Sequence, residues 1–478
     1  MYNVCVIGAG VVGGMIAREL AKYQLKVCII DKENDVGMGT TKANSAIVHA
    51  GFDAEEGTLK AKLNVLGSVM MKDIAKDLGV KYKNNGSIVV GFNAEDEKTV
   101  KALYNRGVNN GVKDLQVLTG DEIRAIEPNV AKNVTVALYA PTGAIICPYD
   151  LTVASIGNAM DNGAELKRNF TVTNIEKEQN GYKIISSLGE EVNAECVVNA
   201  AGLFADKIAN MVGDNSFEIK PRRGEYILLD KECGKTVKST IFRTPTKMGK
   251  GILVSPTVDG NLLLGPTSVD IDDKADCTTT RDGLDLILKQ ANEDVDNIAC
   301  NKAITSFCGL RATTKQNDFI INSPIKGFVN VAGIDSPGLS SAPAIAVMVK
   351  ELLEEQGVEM VEKQNHISTR KSAHFFKELS IEEKNQIIKQ DKSFGKIICR
   401  CEVVTEGEIL SAIRSNPKPL DLDGVKRRTR AQMGRCQGGF CSPYIIGLLA
   451  KEMGVPVEEI TKKGGNSTLI TGKTKGVE

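Results

Sequence analysis

Four of the twelve cysteines fall in two close pairs, Cys399-Arg400-Cys401 and, 34 residues further on, Cys436-Gln437-Gly438-Gly439-Phe440-Cys441. Paired thiols at that spacing are metal ligands, able to close a tetrahedral zinc site or to hold the irons of an iron–sulfur cluster. The other eight, Cys5, Cys28, Cys147, Cys196, Cys233, Cys277, Cys300 and Cys308, are scattered and read as small buried hydrophobes. At the other end of the chain stands Gly8-Ala9-Gly10-Val11-Val12-Gly13. In such a turn Gly8 bends the chain, Gly10 lets backbone approach a pyrophosphate, and Gly13 lets helix pack on strand. One of only three histidines, His49, is the third chemical candidate, because a neutral imidazole can take a hydroxyl proton near physiological pH. His366 and His374 lie in polar sequence and are expected to be bystanders.

These residues need elements to hold them. Asn3 to Ile7 is an apolar run entering the glycine turn, Met15, Ile16 and Leu20 continue with helical spacing, and Lys26 to Ile30 is a second apolar run ending at Asp31. Strand, turn, helix and strand place unpaired helix amides against phosphates, and put Asp31 eighteen residues past Gly13, where a carboxylate accepts from a ribose. That unit predicts a dinucleotide without choosing between NAD and FAD.

Composition narrows the class. The 478 residues exceed one ordinary domain, the formal net charge is +0, and 42% of residues are apolar, so neither a nucleic-acid groove nor a disordered tail is expected. Met1-Tyr2-Asn3 runs straight into the first strand, and free cysteines suit a reducing compartment. The expected location is cytoplasmic, with a peripheral position at the inner face of a membrane, through a partner, left open. After residue 361 the sequence turns to Lys, Glu, Gln and Asn, a connector in which Ser380 opens a short polar helix. Thr405-Glu406-Gly407-Glu408 is a capping box for a helix to about Arg414, and Ser442-Pro443 is an N-cap with a first-turn proline.

Three further stretches carry a resemblance. Gly37-Met38-Gly39-Thr40-Thr41-Lys42-Ala43-Asn44-Ser45-Ala46-Ile47-Val48-His49-Ala50-Gly51, Val197 to Asp206 (VVNAAGLFAD) and Ala332 to Pro343 (AGIDSPGLSSAP) resemble, in order, the flavin-contacting segments of the D-amino-acid oxidase and glycerol-3-phosphate dehydrogenase superfamily. The resemblance covers residues 1 to about 360. It implies FAD, with Gly8, Gly10, Gly13, Asp31, Lys32, Thr40, Thr41, Asn44, Ser45, Ala46, Ala200, Gly202, Gly333, Gly338, Leu339 and Ser340 as candidate cofactor-binding residues. A helix beginning near Ser340 would face the negative charge of a reduced ring. Arg311, in Phe307-Cys308-Gly309-Leu310-Arg311, matches the place of a substrate-binding arginine. Arg222, Arg223, Arg243, Lys247 and Lys250 are further cations suited to a phosphate or carboxylate. His49 has three readings: proton acceptor, covalent flavin attachment, or structural hydrogen bonding.

Residues 395 to 460 resemble the bacterioferritin-associated-ferredoxin-like domain, which implies a 2Fe-2S cluster on Cys399, Cys401, Cys436 and Cys441; zinc remains the alternative. Lys426, Arg427, Arg428, Arg430 and Arg435 have three readings: they offset that cluster's charge, form a docking face, or are a solvated charge run. Ala46 to Gly51 with Gly57 to Leu63 looks like L-2-hydroxyglutarate dehydrogenases, whereas a flavin domain followed by a cysteine domain is similar to catalytic subunits of anaerobic glycerol-3-phosphate dehydrogenases. The implied enzyme oxidises a secondary alcohol beside an anion, foremost sn-glycerol 3-phosphate to dihydroxyacetone phosphate. Electrons then pass through FAD and the cluster to a second flavoprotein, another electron-accepting subunit or a quinone. A 2-hydroxy-acid dehydrogenase, an amino-acid or amine dehydrogenase, an oxygen-using oxidase and a carrier subunit without its own substrate are the alternatives.

The expected fold is α/β: a doubly wound, Rossmann-like FAD domain, an antiparallel-sheet substrate domain and a small helical iron–sulfur domain. The motif positions make the FAD domain discontinuous, at 1–85, 146–215 and 321–360, with substrate-domain parts at 86–145 and 216–320. A linker (361–394), the 2Fe-2S domain (395–460) and a tail (461–478) follow. Gly251 to Val254 and Asn261 to Gly265 are expected to pair as a hairpin of the substrate sheet.

Overall fold

The computed structural model describes residues 1–245, 251–372, 375–472 and 475, so Lys247, Lys250 and His374 lie outside the described residues. The N-terminal apolar runs become strands Tyr2–Ile7 and Val27–Ile30, paired in parallel, with helix Val11–Leu20 between them. Glu191–Asn199 pairs in parallel on the other side of Tyr2–Ile7, Phe328–Ala332 pairs in parallel with Glu191–Asn199, and Glu165–Lys167 extends the opposite edge. Near-continuous burial of Tyr2–Ile7, Val27–Ile30 and Phe328–Ala332 is what a parallel sheet covered on both faces requires. Helices Val11–Leu20, Leu59–Asp77, Pro148–Asp161 and Gly338–Glu355 pack together over one face. Helix Ala205–Met211 and the antiparallel strands Val172–Glu178 and Gly181–Ser186 close the other around Phe170, Tyr182 and Phe328.

A nine-stranded sheet forms the second layer. Its long central pair, Lys220–Leu229 and Ala303–Thr313, is antiparallel, and the expected hairpin is present as Leu253–Pro256 against Leu262–Gly265. One neighbour pair, Thr240–Arg243 with Ser87–Gly91, is parallel, so the sheet is mixed rather than wholly antiparallel. Because Ser87–Gly91 and Thr240–Arg243 are brought side by side from distant parts of the chain, no hairpin dictates their direction. A small sheet of Ile47–Val48, Ala144–Ile146 and Tyr82–Lys83 ties the two layers together beside His49.

The connector is folded: Ser380 caps helix Ile381–Gln390 through a capping box, and Phe376 packs on Phe394. Beyond it, hairpin Ile397–Cys399/Val404–Thr405 and helices Glu406–Arg414, Leu422–Thr429 and Ser442–Met453 bury Ile409, Val425, Ile445 and Leu449. Each such side chain contributes roughly 1.5–3 kcal/mol. Thr405 and Glu408 form the capping box read from sequence. Ser442 does not cap the last helix: Cys441 holds the cap position, and the Ser442 hydroxyl donates back to the Gly438 carbonyl at 2.7 Å. The turn through Gly438, with φ +93°, brings that carbonyl within reach.

Candidate active site and cluster loops

The glycine turn is built by exclusion. Gly8 has φ +113°, and a Cβ there would lie 2.3 Å from the Ala200 carbonyl oxygen; a Cβ on Gly13 would lie 1.9 Å from that of Gly8. Gly10 meets only Thr41 Oγ1 at 3.2 Å, because its missing side chain faces a cleft. The helix start is fixed from across that cleft, where Val11 N–H donates to Thr41 Oγ1 at 3.0 Å. Asp31 Oδ2 accepts from Ala9 N–H at 2.6 Å and Oδ1 from Glu33 N–H at 2.9 Å, while burial pushes its carboxyl up to about 6. Lys32 sits over the Phe204 ring, 4.4 Å from its centroid.

The cleft encloses about 1440 Å³, more than the roughly 300–1,000 Å³ of a drug-sized site. Gly8, Gly10, Asp31, Lys32, Thr40, Thr41, Asn44, Ser45, Ala46, Ala200, Gly202, Gly338, Leu339, His49 and Arg311 all line it. Gly13, Gly333 and Ser340 lie outside the lining: Gly13 is packed under Gly8, Gly333 makes a turn at φ +66°, and Ser340 is fully buried. Ser340 Oγ instead accepts His49 N–H at 2.7 Å, anchoring the histidine's backbone to helix Gly338–Glu355.

At the chemical end, segment 40–46 is locked to strand Ala303–Thr313. Thr40 Oγ1 donates to the Leu310 carbonyl at 2.6 Å, and Gly309 lacks the Cβ that would meet the Ala43 carbonyl oxygen at 1.9 Å. Arg311 therefore projects beside the segment, its guanidinium 3.4 Å from the Thr267 carbonyl oxygen. Tyr226, stacked on Phe307, places its hydroxyl 3.3 Å from Ser45 Oγ. The His49 ring lies 6.0 Å from that of Phe242, with Nε2 3.4 Å from Ser336 Oγ. Sequence reasoning gave no role to Lys60, whose Nζ pairs with Asp335 at 2.7 Å in the wall of the cleft; its place in the first turn of the helix beginning at Leu59 was the available signal. Among the other candidate cations, Arg222 pairs with Asp270, Arg223 with Asp276, and Arg243 with Glu293 and Asp294. Their charge is already matched by carboxylates of the same layer.

The four paired cysteines converge as two couples. Cys401 and Cys436 sulfurs are 3.6 Å apart, and the Cys441 thiol donates to Cys399, which lowers the proton affinity of Cys399 and raises that of Cys441. Backbone N–H groups of Gln432 and Glu402 point at Cys399, and those of Gly438, Phe440 and Gly439 at Cys436. Such amides favour anionic sulfur. Among the described residues no group of three or more ligands gathers as one metal ion requires. Two couples can give each iron of a 2Fe-2S cluster its pair of thiolates.

The basic run around Lys426 turns inward. Arg427 and Arg428 both bond to Asp35, which follows the second strand, and all three side chains are buried. Arg430 pairs with Asp259 at 2.8 Å and with Glu402 at 3.1 Å; Arg435 reaches Asp230 and Glu232. These cations dock the cysteine domain onto the rest of the chain.

A cleft running from an acidic strand end past a glycine turn to the tip of a second helix is shaped for a dinucleotide, and the match of residues 3–352 to the FAD dependent oxidoreductase model makes the protein a flavin-dependent oxidoreductase. The cofactors are FAD and a 2Fe-2S cluster. The chain belongs to the FAD dependent oxidoreductase family, whose model matches residues 3–352, and the BFD-like 2Fe-2S binding domain model matches residues 397–451. It is 51% identical over 477 residues to a glycerol 3-phosphate dehydrogenase of Caloramator mitchellensis, covering 99% of each chain. It is 30% identical over 284 residues to the mitochondrial L-2-hydroxyglutarate dehydrogenase of Bos taurus, covering 56% of this chain and 61% of that one. The solved structure of dithionite-reduced L-alpha-glycerophosphate oxidase from Mycoplasma pneumoniae with FAD bound matches with TM-score 0.73 and 31% identity, over 77% of this chain and 98% of that one.

Proposed function

We propose that this chain oxidises sn-glycerol 3-phosphate to dihydroxyacetone phosphate and delivers the electrons, through FAD and its 2Fe-2S cluster, to an electron-accepting partner subunit or a quinone. The observation that carries the reading is the convergence of Arg311 and His49 in one cleft lined by the glycine turn and by Gly338. Bound there, FAD supplies the hydride acceptor. Arg311 offers a planar fork to the substrate phosphate, held in place by the Thr267 carbonyl. His49 Nε2 takes the proton of the secondary hydroxyl, with Ser336 Oγ beside it. The glycine turn, Asp31 and Lys32 hold the adenosine diphosphate half; Thr40, Thr41, Asn44, Ser45, Ala46, Ala200 and Gly202 line the cofactor's path, and the Gly338-Leu339 helix tip faces the ring's negative charge. Gly333 turns the loop that presents that tip. Cys399, Cys401, Cys436 and Cys441 hold the cluster.

The M. pneumoniae oxidase is covered over nearly its whole length by 77% of this chain. The cysteine domain is extra, and an extra electron carrier favours a dehydrogenase over an oxygen-using oxidase. No helix among the described residues is long and apolar enough to cross a membrane; we place the protein in the cytoplasm, reaching the inner membrane face through its partner.

The test is anaerobic bleaching of the flavin by sn-glycerol 3-phosphate, L-2-hydroxyglutarate, lactate and amino acids in turn. Rapid bleaching by the first alone is expected. Preferential bleaching by L-2-hydroxyglutarate or an amino acid would replace the substrate, and no bleaching by any of them would leave a carrier.

A further inference from the structure

The cleft and the cysteine loops do not share a wall among the described residues, none of which beyond Leu339 lines the cleft. Electrons must therefore cross ordinary polypeptide between the flavin-contacting segment and the cluster. Tunnelling falls steeply with each gap between bonded atoms, so a path of covalent bonds and short contacts outruns one that jumps through loose packing.

One such path is present. Ile146 N–H donates to the Ala46 carbonyl at 2.9 Å, and Ala46 lines the cleft. Two bonded residues later the chain turns at Pro148 into helix Pro148–Asp161, and Tyr149 stands in its first turn. The Tyr149 hydroxyl lies 3.4 Å from Met433 Sδ. Met433 belongs to the loop that carries Cys436, and its carbonyl accepts from Gln437 Nε2 at 3.3 Å. Its neighbours on both sides belong to the sulfur site: the Gln432 N–H points at Cys399, and Gly434 is packed so close to Cys401 that a Cβ would come within 2.3 Å of the Cys401 Cβ. Just before Met433 the same segment is anchored by buried ion pairs of Arg427 and Arg428 with Asp35 and of Arg430 with Asp259.

We propose that the Tyr149–Met433 contact is the electron bridge between the flavin segment and the cluster loop. The inference rests on the reading that both groups work in one relay. Each transfer moves one electron: the reduced flavin loses it, one ferric iron of the cluster becomes ferrous, and protons leaving the flavin pass to water. A one-electron acceptor such as ferricyanide then reoxidises the iron, and the second electron follows. Tyr149 and Met433 are positioning residues that supply orbitals and are not themselves oxidised or reduced.

The test uses holoprotein without substrate, so that a wrong substrate assignment cannot imitate failure. The flavin is reduced by a light pulse with EDTA as donor, and cluster reduction is followed by visible absorbance and by the electron paramagnetic resonance signal of the reduced cluster. Met433→Leu, which keeps the volume and loses the sulfur, and Tyr149→Leu, which loses the ring, should each slow cluster reduction several-fold. Flavin reduction and both midpoint potentials should stay at native values. Tyr149→Phe, keeping the ring, should fall between native and Tyr149→Leu. Native transfer rates in both leucine variants, with FAD and cluster fully loaded, would overturn the proposal. If Tyr149→Leu loses its cluster, Met433→Leu alone decides it.

Discussion

The carboxylate of Asp35 and the guanidinium of Arg428, 393 residues apart in sequence, meet in a two-bond fork of 2.7 and 2.8 Å. Arg427 adds a further bond to the same carboxylate at 2.6 Å, and these guanidiniums hold the Asp35 carboxyl well below the usual carboxylate range. Removing one member of a buried charge group leaves the others uncompensated, at a cost of about 3–5 kcal/mol. Asp35→Asn is therefore expected to loosen the cysteine domain. Limited proteolysis should cut the connector between residues 361 and 394 faster in the variant, with FAD content unchanged. Equal proteolysis would show that the fork does not hold the docking.

His49→Ala is expected to bind FAD normally and to lose flavin reduction by sn-glycerol 3-phosphate by about 10²–10⁴-fold, the usual worth of a positioned general base. Stopped-flow bleaching without oxygen measures it. Unchanged bleaching would leave the histidine a structural role, through its backbone bond to Ser340 and its ring contacts with Ser336 and Phe242.

Arg311→Lys replaces a planar fork by a point charge. Loss of a charge-assisted hydrogen bond costs about 1.5–3 kcal/mol, so KM for the phosphate substrate should rise by at least an order of magnitude. A KM within twofold of native would move the phosphate site elsewhere in the cleft.

Asp31 is expected to make FAD affinity depend on pH. Its carboxyl is raised to about 6 by burial, so the protonated form is favoured below that pH and can no longer act as a charged acceptor for the ribose. Bonding by ribose hydroxyls favours the ionised form, so binding expels the proton. Affinity should be flat above pH 6 and fall as pH drops through it, by up to about tenfold per unit. Fluorescence titration of flavin-stripped protein should show that fall, and Asp31→Asn should remove it.

Iron and acid-labile sulfide should each assay at two per chain, and Cys401→Ser should abolish the cluster absorbance while sparing the flavin's. Zinc at one per chain, with no labile sulfide, would reverse the reading of the two sulfur couples.

What the sequence revealed follows from how far apart the cooperating residues lie. Gly8, Gly10 and Gly13 act within one turn, so a short window holds both their chemistry and its geometry; the two cysteine pairs mark the ligands by spacing alone, whereas the coupling of Cys401 with Cys436 and of Cys399 with Cys441 joins one window to the other and could not be read from either. The fate of the basic run could not be read that way. Arg427 and Arg428 look like a solvated charge cluster until Asp35 is beside them, and Arg430 until Asp259 is. Arg223 and Arg243 similarly look available for an anion, although Asp276 and Glu293 already occupy them. The mixed sheet was hidden because Ser87–Gly91 meets Thr240–Arg243 across some 150 residues. Tyr226 and Thr267, which frame Arg311, belong to no short motif.

The docking of the last domain through buried charges also bears on how such a chain could be assembled over evolutionary time. Faces that join through carboxylates and guanidiniums are well hydrated when apart, unlike oily faces, which would clump. A flavin domain could exist without the appendage, as the M. pneumoniae oxidase does, and acquire it later by fusion. A handful of acidic replacements, at positions such as 35 and 259, would then convert a loose tether into a fixed one.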